Sequence, residues 1–397
     1  MSNNKSTYYQ NSAFVLKVFK YISILLFVVF LISCVVIFRK DITVENIQLL
    51  AKFISFDGSS SNYTDEFTVT AGEESDIIML RDNLGIINNN NIGLYDLSGH
   101  KLFNYNFSYS NPSVVYDDHS IIVHDVDGNE MSVFNSFSKI KGFKYNGSVL
   151  SADVDGDYFA VITKDEAYYA ILRVYKYDYQ ERDYIEIFTL KSSNSYLTSV
   201  GISGNGRYVI VSTADATDGK YNCYVNIYST ASEDNKPAYS YNIGNELPFK
   251  VGFDSDSSSV YAITDSAIHF FDSKLNLTTT YKFNQSKVEN YYENDDLLIL
   301  TEKNNLSGNS VMLIGFSKQG ENIFNVNVSD EIYDVCIGKE KIFALGKYKV
   351  YEISSDDGIY KQTNEHNLTT KYYSVVCDTD DNCYVVNDSY VTRIKFE

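Results

Sequence analysis

The sequence is organised around a β unit that recurs along most of its length. Its clearest copy reads as four short strands separated by turn residues: Phe249–Phe253, Ser259–Thr264, Ala267–Phe271 and Thr278–Phe283. The third strand provides a marker, in which two apolar positions and an aromatic one precede a polar residue. Eight copies, about 40 residues apart, lie at Ile92–Asp96, Met131–Asn135, Leu172–Lys176, Val225–Ser229 and Ile268–Asp272 and, more loosely, end at Phe316, Ile353 and Ile394. A four-stranded unit of this period is typical of one β-propeller blade.

The repeat predicts an all-β fold, a propeller of four-stranded blades over residues 67–397. Eight markers favour eight blades, and seven is the alternative. Turn pairs that suit tight hairpins lie between apolar runs at Asp127-Gly128, Asp155-Gly156 and Asn205-Gly206. The last unit, Tyr372–Phe396, has room for only three strands. An N-terminal strand, Phe67–Thr70, is therefore expected to complete that sheet and close the ring.

The N-terminal region predicts a membrane anchor after a short tail at residues 1–20. Residues 21–38 contain no charged side chain, and as a helix they would extend roughly 27 Å, close to the thickness of a hydrocarbon core. The lipid bilayer is therefore the predicted partner of residues 21–38. A cleaved signal peptide is disfavoured because Phe38-Arg39-Lys40 lacks small residues. Lipidation at Cys34 is disfavoured because the apolar run continues past it.

Residues 39–66 predict a juxtamembrane stalk helix followed by a linker. In Asp41–Phe56 apolar residues recur at helical spacing, and Thr43 can cap the start of the helix. Asp57–Glu66 is polar and favours a flexible joint. Basic residues are balanced on the two sides of the anchor, but the tail has no acidic residue. This favours a single-pass protein with a cytoplasmic N-terminus and an extracytoplasmic propeller.

Net charge excludes one class of partner. The chain has a formal net charge of −19, and residues 1–40 contain no Asp or Glu, so the acidic residues all lie beyond the anchor. A strongly acidic domain repels phosphate backbones, and nucleic acid is therefore not expected to bind.

The order of these elements carries a resemblance. A membrane helix, the segment ITVENIQLLAKFISF, the stretch Tyr109–Ile140 and a propeller together resemble an uncharacterised bacterial family of membrane-anchored propellers with a domain of unknown function. Its most specific part runs from Ser110-Asn111-Pro112 to Asn135-Ser136-Phe137, and the turn at Ser203–Ser212 is similar to those of WD40-like and YVTN-like propellers. The resemblance implies a location in the cell envelope of a Gram-positive-type bacterium. It implies no catalytic residues.

The sequence predicts no catalytic, cofactor-binding or metal-binding residue. His119 and His124 are expected on opposite faces of the chain. Asp125–Glu130 and Asp153–Asp157 have the oxygen-rich composition of calcium loops, but their glycines come one residue early, so Asp-Gly hairpins are favoured. Cys377 and Cys383 flank a turn in the last blade, and either a bridge between them or two buried thiols fits that spacing.

The favoured function is a non-enzymatic binding or scaffolding module with a protein or glycan partner on the propeller face. The predicted recognition loops are the insertions Asp178–Asp183 and Ala214–Asn222. Five tyrosines suggest either an aromatic surface there or core positions: Tyr168, Tyr169, Tyr175, Tyr177 and Tyr179. The alternative is an envelope hydrolase or lyase acting on glycans or peptides, which predicts two carboxylates in the central channel with pKa values driven apart. A propeller inside the cell, acting as a signalling platform, is a third hypothesis.

Overall fold

The computed structural model describes residues 17, 20–30, 33, 64–217, 219–232, 234–283, 288–303, 310–356 and 359–396. The chain divides into two units, Met1–Asn62 and Tyr63–Glu397. In the first unit, residues 20–30 are helical. Within the described residues, no helix combines the length and the apolar character needed to span a membrane. The predicted stalk helix, and residues 31–32 and 34–38 of the predicted anchor, lie outside the described residues.

The second unit is a propeller whose described residues form eight four-stranded antiparallel sheets, which confirms eight blades over seven. Blades 1 to 4 consist of β2 (Asp76–Leu80), β3 (Asn83–Ile87), β4 (Asn91–Asp96) and β5 (Lys101–Asn106); β6 (Pro112–Tyr116), β7 (Ile121–Asp125), β8 (Glu130–Phe134) and β9 (Lys139–Lys144); β10 (Val149–Asp155), β11 (Tyr158–Thr163), β12 (Ala170–Asp178) and β13 (Asp183–Ser192); and β14 (Tyr196–Ile202), β15 (Tyr208–Thr217), β16 (Lys220–Ser229) and β17 (Tyr239–Gly244).

Blades 5 to 8 continue the same order. They consist of β18 (Pro248–Phe253), β19 (Ser259–Thr264), β20 (Ala267–Asp272) and β21 (Leu277–Lys282); β22 (Val288–Glu293), β23 (Leu297–Lys303), β24 (Val311–Ser317) and β25 (Asn322–Val328); β26 (Ile332–Ile337), β27 (Lys341–Gly346), β28 (Lys349–Asp356) and β29 (Ile359–Asn367); and β30 (Ser374–Cys377), β31 (Cys383–Val386), β32 (Tyr390–Ile394) and β1 (Glu66–Thr68). Each of the eight sequence markers falls on the third strand of its blade, as predicted.

The N-terminal strand β1 closes the ring, as predicted from Phe67–Thr70. It pairs antiparallel with β32, with Phe67 opposite Val391. The pairing continues past the strand, because the backbone N–H of Val69 donates to the Ser389 carbonyl over 2.9 Å. An ion pair between Lys395 and Asp65, 2.6 Å long, lies beside the same junction. Both ends of the propeller sequence therefore belong to one sheet.

Burial explains why some strands have continuous apolar sequences and others alternate. Middle strands such as β19 are buried at every position, because a neighbouring blade covers each of their faces. Fourth strands lie at the rim, and β25 alternates between exposed and buried residues. The apolar core is therefore a set of clusters between blades rather than one centre. In one of them, the rings of Phe270 in blade 5 and Phe316 in blade 6 lie 5.7 Å apart.

The two insertions predicted as recognition loops lengthen strands instead. Residues 214–217 and 220–222 belong to β15 and β16, where Ala216 pairs with Tyr221. Asp178 and Asp183 are likewise paired ends of β12 and β13. Backbone groups paired in a ladder are satisfied without a loop, and β-branched and aromatic residues favour that pairing. Blades 3 and 4 therefore have longer strand pairs at these positions.

Candidate functional site

The four-stranded order places different turns at the two ends of the propeller. First-to-second and third-to-fourth turns lie at one end, which we call the acidic end. Its first-to-second turns carry the following aspartates: Asp82, Asp117, Asp118, Asp155, Asp157, Asp254, Asp256, Asp295, Asp296, Asp378, Asp380 and Asp381. The opposite end carries the second-to-third turns and the connections between blades. The first-to-second turns therefore concentrate aspartates at one end, while others, such as Asp127, Asp165 and Asp265, lie at the opposite end.

Many of these aspartates join neighbouring blades. Their carboxylates accept hydrogen bonds from backbone N–H groups or polar side chains of an adjacent blade, over 2.6 to 3.2 Å. The pairs include Asp82 with Thr379, Asp117 with Gly156, Asp254 with Gln319, and Asp381 with Lys339 and Glu340. Hydrogen bonds to a carboxylate are stronger than those between neutral groups. Part of the acidic composition is therefore structural, in addition to keeping the surface soluble.

The first strands surround the central channel, and a partly buried ion network joins three of them, β10, β18 and β22, to neighbouring residues. Glu293 on β22 lies 2.9 Å from the Lys250 ammonium through Oε1 and 3.0 Å from the Lys318 ammonium through Oε2. The Tyr261 hydroxyl also donates to Oε2. Asp153 on β10 faces the same group of charges and accepts a hydrogen bond of 2.8 Å from the Ile202 backbone N–H. The network links blades 3, 4, 5 and 6.

Carboxyl pKa values in the channel diverge. Burial raises the pKa of Asp153 to about 6, against the attraction of Lys250. Burial also raises the pKa of Asp334 to about 6, although Ser374 and the Val375 backbone N–H donate to it. Burial alone would raise the pKa of Glu293, but the charges of Lys250 and Lys318 outweigh it and hold that pKa below its ordinary range.

This divergence is what the hydrolase hypothesis predicted, but the partners of the carboxylates favour a structural role. Both oxygens of Glu293 are occupied by lysines or by Tyr261. Asp153 and Asp334 each hold a backbone N–H of the next blade. A general acid or base needs an oxygen free to reach substrate. Structural ion networks also perturb pKa values. In this one, the carboxylates already have partners within the same chain.

The two segments that suggested calcium loops use their carboxylates for backbone hydrogen bonds. Asp125 Oδ1 accepts from the N–H groups of Ser110 and Asn111, over 2.9 and 2.8 Å. The turns have left-handed residues, with φ of 61° at Asp127 and 58° at Gly156, as the Asp-Gly hairpin prediction requires. Among the described residues, no three His, Cys, Asp or Glu side chains converge on a metal site.

Cys377 forms a disulfide with Cys336, so the predicted alternative of a bridge to Cys383 is wrong. Cys383 does lie directly opposite Cys377 in the β30–β31 hairpin, but it is a buried free thiol. Burial raises its pKa well above the ordinary value. Cys336 belongs to β26, and the bridge therefore joins the first strands of blades 7 and 8. The spacing of Cys377 and Cys383 within one hairpin could not reveal that Cys377 has its partner in the preceding blade.

Several exposed aromatic and apolar side chains lie at the other end of the propeller, over blades 3 to 5. We call this surface the aromatic end, and define it by Tyr169, Tyr196, Tyr221, Leu247 and Phe249, which are 39 to 55% exposed. Tyr169 and Tyr196 stack with ring centroids 4.6 Å apart. Exposed aromatic side chains are enriched at recognition sites, and comparable ones, Phe137 and Tyr208 among them, also lie at the acidic end.

The five predicted tyrosines divide among three places. Tyr168 and Tyr169 lie in the β11–β12 turn, at the aromatic end. Tyr175 and Tyr177 pack in the core between blades 2 and 3. Tyr179 lies at the acidic end and is exposed. Two of the five therefore belong to the aromatic end, and two occupy the core positions of the alternative. The further members of the aromatic end, Tyr196, Tyr221 and Phe249 among them, belong to the next two blades.

The fold and surfaces define a closed eight-bladed β-propeller with one acidic and one aromatic end. The chain belongs to DUF5711, a family of unknown function, whose model matches residues 57–396. No curated protein matches the chain.

Solved propellers of low identity are similar to the chain. Sqt1 from Saccharomyces cerevisiae has a TM-score of 0.58 and 9% identity over 83% of this chain and 98% of its own. BamB from Moraxella catarrhalis has a TM-score of 0.50 and 12% identity over 82% of this chain and 97% of its own. At such identities the likeness shows the shared fold alone.

Proposed function

We propose that the protein is a non-enzymatic binding or scaffolding module that recognises its partner with the aromatic end. The observation that carries this proposal is the group of exposed rings and apolar side chains over blades 3 to 5. Tyrosine and phenylalanine contribute large contact areas with few rotatable bonds, so they commonly anchor interfaces. The closed ring supplies a rigid support for them. A protein or a glycan fits this chemistry, whereas the acidic opposite end disfavours nucleic acid.

The test compares matched pairs of substitutions in the full chain. Tyr221→Ser with Phe249→Ser removes two anchors of the aromatic end, and Tyr179→Ser with Ile359→Ser removes two exposed side chains from the acidic end. Cross-linking in cells followed by mass spectrometry should show a partner with the parent chain and the control pair, and at least a tenfold loss with the aromatic pair. Equal capture by all three chains would contradict the proposal.

We further propose that residues 21–38 tether the propeller to a bacterial cell membrane and that the propeller is extracytoplasmic. The large apolar side chains of helical residues 21–30 are all exposed, at 44 to 69%, and the sequence has no charge from 21 to 38. A surface of this kind is stable in lipid rather than in water. The Cys336–Cys377 disulfide supports an oxidising compartment outside the cytoplasm.

Protease treatment of intact cells tests this location. An extracytoplasmic propeller should be digested before lysis, whereas a cytoplasmic marker protein stays intact. A propeller that resists digestion until the cells are broken would overturn the proposed orientation and favour the intracellular platform.

The hydrolase remains a second candidate because the pKa values of Asp153 and Glu293 are driven apart as it predicted. It requires that Asp153→Asn and Glu293→Gln abolish turnover of an envelope glycan or peptide while the ring stays folded. Turnover by the parent chain that both variants lose would favour the hydrolase over the binding module.

A further inference from the structure

A cavity of about 500 Å³ opens at the aromatic end, at the boundary between blades 3 and 4. The β11–β12 turn supplies Asp165, Glu166 and Tyr169, and the connection into β14 supplies Ser193 and Tyr196. The volume lies in the range of small-molecule sites. Because the walls come from two blades, a ligand here would contact residues that are distant in sequence.

Three tyrosine rings dominate the chemistry of the cavity. Tyr169 and Tyr196 stack on each other, so their inner faces are covered and their outer faces point away from each other; the two side chains are 47 and 55% exposed. The third ring, Tyr168, already has the Lys191 ammonium 5.5 Å above its centroid. Aromatic faces attract cations through their quadrupole. The Lys191 ammonium thus lies over one ring in the way that a ligand cation would lie over an outer face of the stacked pair.

The charged residues of the cavity also favour a cation. Lys164 is neutralised by Asp127, whose Oδ1 lies 2.9 Å from the ammonium. Among the described residues, no lysine or arginine forms an ion pair with Asp165 or Glu166. Asp165 accepts only a local hydrogen bond from the Ala167 backbone N–H, over 2.9 Å. Lys191 over Tyr168 adds one positive charge, so Lys164 and Lys191 face Asp127, Asp165 and Glu166. The residues around the cavity therefore keep a net negative charge, in a domain that is acidic as a whole.

We propose that this cavity binds a quaternary or highly alkylated ammonium group, with the outer face of Tyr196, backed by the stacked Tyr169, as the aromatic surface and Asp165 and Glu166 as the counter-charge. Alkylated ammonium is weakly hydrated, so it enters an aromatic cavity at low desolvation cost, whereas a bare ammonium or a metal ion retains its water. Ser193 adds a hydroxyl for a polar substituent on the ligand. The inference rests on the proposed binding function and names a ligand class for one part of the aromatic end.

The experiment measures choline binding to the full chain in maltoside micelles, by saturation-transfer NMR of the trimethyl signal. The matched probe is the neutral tert-butyl isostere of choline, which has the same shape without the charge. Choline should bind at least about fivefold more tightly than the isostere. Tyr196→Leu should remove that preference, and Tyr196→Phe, which keeps the ring, should retain it. Glu166→Gln should weaken choline binding and leave the isostere unchanged.

Tyr348→Leu is the control, because Tyr348 lies at the same end in blade 7, is 54% exposed and has its own lysine, Lys347, over its ring. It should not alter choline binding. Equal affinity for choline and the isostere, or a preference for choline that survives Tyr196→Leu, would overturn the proposal. If Tyr221→Ser with Phe249→Ser loses partner capture, but the parent chain does not bind choline, only the cation site is refuted. If that pair does not affect partner capture and the parent chain does not bind choline, the proposed function is refuted as well.

Discussion

Removal of the bridge between Cys336 and Cys377 should strongly destabilise the propeller, because this bond holds the first strand of the closing blade. The two residues are 41 apart in the sequence. A bridge that closes a loop of this length lowers the entropy of the unfolded chain by about 13 cal/mol/K, or about 4 kcal/mol at room temperature. Cys336→Ala should therefore lower the free energy of unfolding by about 4 kcal/mol.

Urea denaturation of the full chain, with and without a reducing agent, measures this difference. Reductant should lower the stability of the parent chain to that of Cys336→Ala, and should leave the variant unchanged. Cys223→Ala is the matched control, since Cys223 is a buried free thiol. Its loss should cost about 1 to 2 kcal/mol, the value for a small cavity, and should not alter the response to reductant. A parent chain that does not respond to reductant, or peptides that link Cys377 to Cys383, would refute the reasoning.

Three further predictions concern the channel and the ring closure. Asp153 binds its proton more tightly in the folded chain, where its pKa is about 6 instead of 3.8. Its contribution to stability should therefore fall by about 3 kcal/mol as pH rises from about 4 to about 6. Asp153→Asn should reduce the slope by that amount in urea titrations at several pH values and leave the share of Asp155 and Asp334, whose pKa values are also about 6. An unchanged slope would contradict the assigned pKa. Gly99→Ala should cost about 1 to 3 kcal/mol, because Gly99 has φ of 87° and an added Cβ would lie 2.6 Å from Phe67. Gly72→Ala, with only Ser75 Oγ at 3.7 Å, is its control, and equal costs would refute the argument from strain. Phe67→Ala should cost about 3 to 5 kcal/mol and speed amide exchange in β31 and β32 before other blades; uniform exchange would show that closure is not the weak point.

The repeat could be predicted from the sequence because every blade buries the corresponding strands in the same way. The third strands are covered on both faces, so their apolar and aromatic residues recur with the blade period, as at Phe134 and Phe271. Asp-Gly and Asn-Gly pairs mark turns that require left-handed residues, and Gly156 and Gly206 have positive φ. Even the closing strand follows from the missing fourth strand of the last unit.

The contacts between blades could not be predicted in this way, because they join residues that are one blade apart. Asp153 and Asp334 resemble other acidic turn residues in the sequence, yet each holds a backbone N–H of the next first strand. Cys377 looked like a partner for Cys383 because the two share a hairpin. Insertion length alone did not show whether Ala214–Asn222 forms a loop or a longer pair of strands.

The cavity at the aromatic end was only partly visible in the sequence. Tyr168 and Tyr169 could be picked out, but Tyr196 opens the next blade and carries no local signal of its neighbour. A search for tyrosines at the starts of first strands and in second-to-third turns would have found the pair, once the blade boundaries were known.

The pairing of β1 with β32 has a consequence for synthesis. The ribosome makes β1 first and β32 last, so the strand that seals the molecule waits for almost the entire chain before it meets its partner. Until then a nascent chain has two open strand edges, which invite pairing with other chains. A polypeptide that ends prematurely never seals itself, and aggregation or proteolysis then separates unfinished copies from complete ones.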